Sequence, residues 1–495
     1  MDSGDTRRLT PASGHAEELF TLGGTLAFAL TGVRPRLAYL LDGYPPPAEL
    51  GGGVALSART ERLLLSLTAP GRMRLLVDRA AVLAAITGAR AALDDPLDPG
   101  CSFTTFRGEA RRNPALVAAA LARDAPVEVT KRWEYRALGK IIGSPAQSRH
   151  TVIAGAQDGS LFALDAATGE LLWRTALGAG TESTPVLTTE AAIVGTDGGQ
   201  LVACARTSGA VRWRTAVSSG LVRSSPVLAA GSAPSVAGAA IAGTADGSLV
   251  AVSASSGEIL WSRRLAGPCF SSPALGRAGA AAADRPLAVV GTDGKELAAV
   301  DAASGELSWR LRMPERVRAT PCLATVAGRA VALVGAFDGT FCAVSLDRGE
   351  PLWRVEMGQR IYASAIWDET RGRGFVAGTD GRIVSLDEKG GLVAQAALGQ
   401  VAATSPILLG DLLIQGGDDG RLAFYRSGDL ALLRELRLGG PIRSCPIARP
   451  LFAGAAATAS EATIAAATAA GTETPRRWFV TIAAGELLYG LEVQW

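Results

Sequence analysis

TVIAGAQDGSLFALDAATGELLWRTA, residues 151–176, decides how the chain folds. Residues 151–154 are a β-branched run, and Asp158-Gly159 offers the two positive-φ positions of a tight hairpin. Ser160–Asp165 alternates apolar with small or polar side chains as a third strand, Thr168-Gly169 turns again, and residues 171–175 form an outer strand carrying Trp173. With an inner strand containing Pro145 ahead of it, the stretch reads as four short antiparallel strands.

The same signals recur along the chain in a fixed order. A small residue followed by proline occurs at Ser144-Pro145, Thr184-Pro185, Ser225-Pro226, Ser272-Pro273, Thr320-Pro321, Ser405-Pro406 and Cys445-Pro446, with Ser364-Ala365 filling the gap. That makes eight units of roughly 40 to 48 residues. Asp-Gly follows at Asp158, Asp197, Asp246, Asp293, Asp338, Asp380 and Asp419, and the outer-strand tryptophans are Trp173, Trp213, Trp261, Trp309 and Trp353. A single four-stranded sheet cannot bury both faces, so neighbouring sheets must stack, and closing the stack into a ring removes the exposed ends. The expectation is an all-β, eight-bladed β-propeller of four-stranded blades, with the tryptophans packed between blades.

The eighth unit lacks an outer strand of its own, whereas Lys131-Arg132-Trp133-Glu134-Tyr135 reads like Leu172-Trp173-Arg174. This upstream strand, with Trp133, is expected to complete the last blade. Residues 131–495 are then the propeller, with the alanine-rich residues 453–471 a flexible loop inserted in blade eight. Residues 1–130 form a separate N-terminal region and linker, small and mixed α/β or partly disordered.

Lysine plus arginine (49) nearly balances aspartate plus glutamate (47), and no long basic block occurs, so neither nucleic acid nor an anionic membrane is an expected partner. Six scattered cysteines with no CxxC pair fit buried thiols in a reducing compartment, and the charged start MDSGDTRRLT lacks the pattern of a secretory signal. A soluble, cytoplasmic monomer is expected.

The unit GTxDGxLxAxDxxTGExLW resembles the repeat of pyrroloquinoline-quinone dehydrogenases and of non-enzymatic relatives such as the outer-membrane assembly lipoprotein. Arg132-Trp133 before the first Ser-Pro, Arg318-Ala319-Thr320-Pro321 in unit five and Asp418-Asp419-Gly420 in unit seven are similar to the C-terminal propeller of the β-alanine-activating enzyme, of the aminoadipate-semialdehyde dehydrogenase-like acyl-CoA synthetase family. In that family an adenylation domain and a phosphopantetheine carrier domain precede the propeller. Residues 18–26, ELFTLGGTL, are similar to the carrier motif, one residue short and with Thr25 where the phosphopantetheine serine would fall, as in a degenerate carrier remnant.

The dehydrogenase resemblance implies pyrroloquinoline quinone and calcium, the latter held by carboxylates and amides in the central funnel. Adjacent cysteines are absent and acidic residues are few where the funnel should lie, so neither cofactor is expected. The two histidines, His15 and His150, lie far apart in sequence with no glycine-flanked serine or cysteine nucleophile nearby, so no catalytic residue and no metal site is assigned.

One position differs in nearly every unit. Three residues before each proline stand Ile142, Glu182, Arg223, Phe270, Arg318, Tyr362, Ala403 and Arg443. At the entry to the innermost strands they would ring one mouth of the channel. Glu182, Arg223, Phe270, Arg318, Tyr362 and Arg443 could there hold an anionic or acyl-phosphopantetheine-like ligand or a partner's loop tip; equally they could fill the channel and pair locally, Glu182 with an arginine. The expected function is a non-catalytic interaction module for a protein partner, accessory to an adenylating, acyl-activating system through its adenylation or carrier protein. A quinone-dependent dehydrogenase and a general assembly scaffold are the alternatives.

Overall fold

The computed structural model describes residues 106–107, 110–116, 118, 121, 126–229, 238–277, 286–399, 401, 404–451 and 476–495. His15, Thr25, Cys101, Ala403 and the alanine-rich residues 453–471 lie outside them.

Eight sheets form the eight-bladed propeller: blades one to seven each use four consecutive antiparallel strands in sequence order, and blade eight combines three consecutive strands with one from upstream of blade one. Blade one comprises Ala146–Gln147, Thr151–Gly155, Ser160–Asp165 and Leu171–Ala176. Its two middle strands are almost wholly buried, Ile153, Leu161, Phe162 and Leu164 completely so. The core is correspondingly divided into layers between neighbouring blades, such as Val289, Leu297, Val334 and Val344 between blades four and five. Outer strands such as Pro351–Glu356 alternate exposed and half-buried residues, as a sheet edge facing solvent does.

Ring closure occurs where the sequence places it. Glu128–Arg136 pairs antiparallel with Leu487–Gln494 and becomes the outer strand of blade eight, with Trp133 opposite Gly490.

The tryptophans pack between blades through a repeated contact. Trp133, Trp213, Trp261, Trp309 and Trp353 each donate the indole N–H to a backbone carbonyl of the next blade, respectively Ala166, Ala254, Ala302, Leu346 and Glu388. The ring then lies over a positive-φ glycine of that blade's last turn. At Gly305 (φ +71°) an added Cβ would stand 2.6 Å from the Trp261 ring, and at Gly349 the same distance from Trp309. Each glycine is required twice over, by its backbone and by the indole on top of it. Trp173 is 4% exposed. Trp213, Trp261 and Trp353, on the outer strands of their blades, are only half-buried.

Two local expectations need correction. Pro145 precedes its inner strand, Ala146–Gln147, instead of lying within it, since proline has no N–H for a ladder. The residue before it links blades. At seven consecutive seams a backbone N–H donates to the neighbouring blade's hydroxyl, from Ser144 to Thr184, then Ser225, Ser272, Thr320, Ser364 and Ser405, and finally from Cys445 back to Ser144. The recurrent Ser or Thr at this position is thus a belt of hydrogen bonds around the ring, interrupted only between Ser405 and Cys445, where the cysteine offers no hydroxyl.

The Asp-Gly turns also differ from expectation. Only Gly159 of the pair Asp158-Gly159 has positive φ, and Asp158 instead accepts the Ser160 N–H through Oδ1, an Asx turn closed by a left-handed glycine. In blades two and four the pair is displaced by one residue. There Gly199 and Lys295 occupy the left-handed position, so Asp197 and Asp293 move into the place that Gln157 holds in blade one.

The ring also takes in chain upstream of residue 131. Ala115–Leu116 pairs in parallel with Ile407–Leu409 at the inner edge of blade seven. The carbonyls of Ala110, Arg111, Pro114 and Leu116 accept the N–H groups of Leu275, Leu323, Leu408 and Gly410. Asn113 both donates to and accepts from the Trp367 backbone. Residues 110–116 therefore bridge the ends of inner strands from blades four to seven.

Candidate functional site

The residues three before each proline do converge. Ile142, Glu182, Arg223, Phe270, Arg318, Tyr362 and Arg443 line one cavity of about 220 Å3, together with belt residues such as Ser144, Thr184, Ser225 and Thr320. Phe106 lines it too, carried there by the upstream segment.

Most of these side chains are held by a partner across the seam between blades. Arg223 forks onto Asp197 at 2.9 and 3.0 Å and also reaches Glu182 at 3.1 Å. Arg318 forks onto Asp293 at 2.9 and 2.6 Å and Arg443 onto Asp418 at 2.9 and 3.4 Å. Gln157 donates to Glu182 at 2.8 Å, and the Tyr362 ring packs 5.9 Å from that of Phe337. Apart from the Arg223–Glu182 contact, the partner belongs to the preceding blade's turn between its second and third strands, at the position of Gln157. The displaced Asp-Gly pairs of blades two and four therefore have a purpose: they turn a carboxylate from the hairpin toward the mouth.

This pairing determines the chemistry on offer. Side-chain hydrogen bonds to Asp197, Asp293 and Asp418 push the three guanidiniums above their already high range, so all three are charged. Glu182 and those three aspartates answer that charge, leaving the mouth a preorganised, mixed polar rim with no surplus of arginine. Arg318 is stacked as well, its guanidinium carbon 4.7 Å from the Phe270 ring centre. Tyr362 remains 47% exposed and is the principal aromatic surface available to a ligand there.

Nothing described at the mouth is equipped for the chemistry of a quinone–calcium site. Calcium takes about six to eight oxygen ligands, whereas among the described residues no three His, Cys, Asp or Glu side chains come together. The mouth carboxylates are committed to arginines, and a cavity of about 220 Å3 lies below the roughly 300–1,000 Å3 usual for a ligand site. The described residues of the mouth do not fit the group. Burial pushes the Cys204 thiol up to about 11 and Cys269, Cys342 and Cys445 up to about 12, so none of these is a ready thiolate. His150 lies in blade one, where its carbonyl accepts the Ala166 N–H. No described helix is long and apolar enough to cross a membrane.

A second cavity, of about 330 Å3, lies between Arg111, Asn113 and Leu116 of the upstream segment and Trp367, Asp368 and Arg371 of blade six. Its charges are internally matched: Asp368 accepts from Thr370 and Arg371, and Arg371 also reaches Asp411. Sequence reading missed this site because residues 106–116 have no counterpart in the repeat.

Three solved structures share the architecture. The quinohemoprotein alcohol dehydrogenase from Comamonas testosteroni aligns over 82% of this chain and 84% of its own, at 13% identity and TM-score 0.64. A europium-containing methanol dehydrogenase aligns over 81% and 100%, at 12% identity and TM-score 0.63. BamB from Moraxella catarrhalis aligns over 74% and 98%, at 16% identity and TM-score 0.52. At these identities the likeness is one of fold. No curated protein sequence gives a significant match. The family model described as outer membrane protein assembly factor BamB matches residues 129–268 and 245–426, more than half of the chain. With eight blades of that repeat in place, the chain belongs to this PQQ-like repeat family.

Proposed function

We propose that the protein is a non-catalytic interaction module whose propeller mouth receives a segment of a protein partner. The observation that carries this reading is the preorganised rim: five seam contacts, three of them Arg–Asp forks, surround one concavity, and an exposed aromatic stands among them. Side chains already locked by neighbours lose little entropy on binding, which favours recognition of a shaped, mixed polar segment over capture of a bare anion. An exposed tyrosine on such a rim is the kind of residue that carries binding energy. The BamB description of the family and the BamB fold support protein binding in general. The partner class suggested by the Arg132-Trp133 and Arg318–Pro321 variants is an adenylating or carrier enzyme. The paired arginines leave an acyl-phosphopantetheine group without free positive charge to meet its phosphate, so the protein surface of such a partner is the better candidate. The proposed setting is the cytoplasm.

Tyr362→Ala should leave the fold intact and weaken partner capture by about 10-fold or more, the scale of an interface hot spot. Arg264→Gln with Arg348→Gln, at side chains 72% and 73% exposed on the outer rim, should change capture by less than about 3-fold. Capture from native extract, quantified for the three proteins, tests this. Equal losses in both variants, or none with Tyr362→Ala, would remove the mouth as the binding surface.

A further inference from the structure

Directly after Phe106 stands a cation with no counter-charge among the described residues. Arg107 is 0% exposed, and its Nη2 donates to the Ala365 carbonyl at the inner edge of blade six. Its Nε and Nη1 have no hydrogen-bond partner, and its charge neighbours are the Cys322 and Cys445 thiols, with no carboxylate among them. Arg112, equally buried, donates to the Ser225, Pro226 and Pro273 carbonyls of blades three and four and to the Phe106 carbonyl. Two guanidiniums are thus directed into the space enclosed by the inner strands.

The backbone is arranged to put them there. Arg107 and Arg112 both have positive φ, 59° and 60°, a conformation unfavourable for a long side chain that persists only where the surroundings impose it. Arg112 locks the turn by binding the Phe106 carbonyl and lying 5.6 Å from the Phe106 ring. Burying an ionised group is costly unless it is paired and hydrogen-bonded, and one carbonyl does not neutralise a guanidinium. Burial accordingly lowers the pKa of both arginines, and Arg107 adds its repulsion to Arg112. An anion at the unpartnered edge of Arg107 would meet the missing hydrogen bonds and the missing charge together.

We propose that Arg107 is the centre of an anion site inside the ring, taking a small inorganic anion of the halide class on its Nε and Nη1 hydrogens beneath Phe106. Phe106 lines the mouth cavity and Arg107 does not, so the site is separate from the surface assigned above to a partner. The anion stabilises the folded ring by tying residues 106–116 to the inner strands.

Replacing gluconate with chloride at constant ionic strength tests the site in the full chain. The unfolding midpoint should climb continuously with the logarithm of chloride once binding saturates, as for any ligand of the native state alone. Arg107→Met should abolish that climb, while Arg318→Gln at the mouth should retain it. No chloride-specific climb in the wild type, or an undiminished climb in Arg107→Met, overturns the proposal. If Arg107→Met does not fold, bromide-soaked crystals of the wild type decide: an anomalous peak within hydrogen-bonding reach of Arg107 Nε and Nη1 supports the site, and an empty position there overturns it.

Discussion

A chain that begins at Leu138 is expected to lose the native fold or aggregate, whereas one that begins at Pro126 should fold with reduced stability. The shorter chain lacks Glu128–Arg136, so the last strand of blade eight, Leu487–Gln494, becomes an open edge. Seven of its eight residues are buried in the intact protein, and an apolar edge of that kind recruits other chains. It also loses Trp133, 6% exposed and hydrogen-bonded to Ala166 across the seam where the ring closes. Truncating that indole alone should cost about 3–5 kcal/mol. The chain from Pro126 keeps this closure but loses residues 106–121, leaving the Leu275, Leu323, Leu408 and Gly410 N–H groups without acceptors. Each backbone hydrogen bond so lost contributes about 0.5–1.5 kcal/mol. Thermal unfolding should therefore rank the full chain above the Pro126 chain and the Pro126 chain above the Leu138 chain. Equal midpoints for the two truncations would refute strand closure.

Gly305→Ala is expected to be far more damaging than Gly358→Ala, although both glycines have nearly the same φ, +71° and +72°. At Gly358 an added Cβ meets nothing within 4 Å, so the cost is the left-handed backbone alone, about 1–2 kcal/mol. At Gly305 the same atom would stand 2.6 Å from the Trp261 ring, and displacing a packed indole adds about 1–3 kcal/mol. The indole must also keep its hydrogen bond to Ala302, which limits where it can go. Denaturant unfolding of the two variants measures the difference. Equal losses would mean that the tryptophans do not fix the seams.

Much of the ring was legible in sequence because its signals are local and repeated eight times. Trp133 could be assigned to blade eight because a strand with no unit of its own met a unit with no outer strand. The turns of blades two and four were less transparent. Thr196-Asp197-Gly198-Gly199 and Thr292-Asp293-Gly294-Lys295 each allow two alignments, and only the backbone dihedrals show that Gly199 and Lys295 take the left-handed place. That one-residue displacement concealed the carboxylates facing Arg223 and Arg318. A signal was nevertheless present: Gln157 and Glu182, Asp293 and Arg318, and Asp418 and Arg443 are each 25 residues apart, and Asp197 and Arg223 are 26 apart. Comparing those two positions across units, instead of one alone, reveals matched partners.

The segment from Phe106 to Leu116 was opaque for a different reason. FRGEARRNPAL has no counterpart elsewhere in the repeat, and its arginines read as a solvated linker. Burial of Arg107 and Arg112 depends on carbonyls contributed by blades three, four and six, a tertiary circumstance that no local pattern announces.

The most direct test of the mouth as a binding surface is site-specific photo-crosslinking in native extract. A photoreactive phenylalanine analogue is placed at Tyr362 in one protein and at Leu260, an outer-strand residue 52% exposed, in another. A discrete covalent adduct with one partner from position 362, absent from position 260, is the predicted result. Adducts from position 260 alone would place recognition on the outer blades and contradict the assignment.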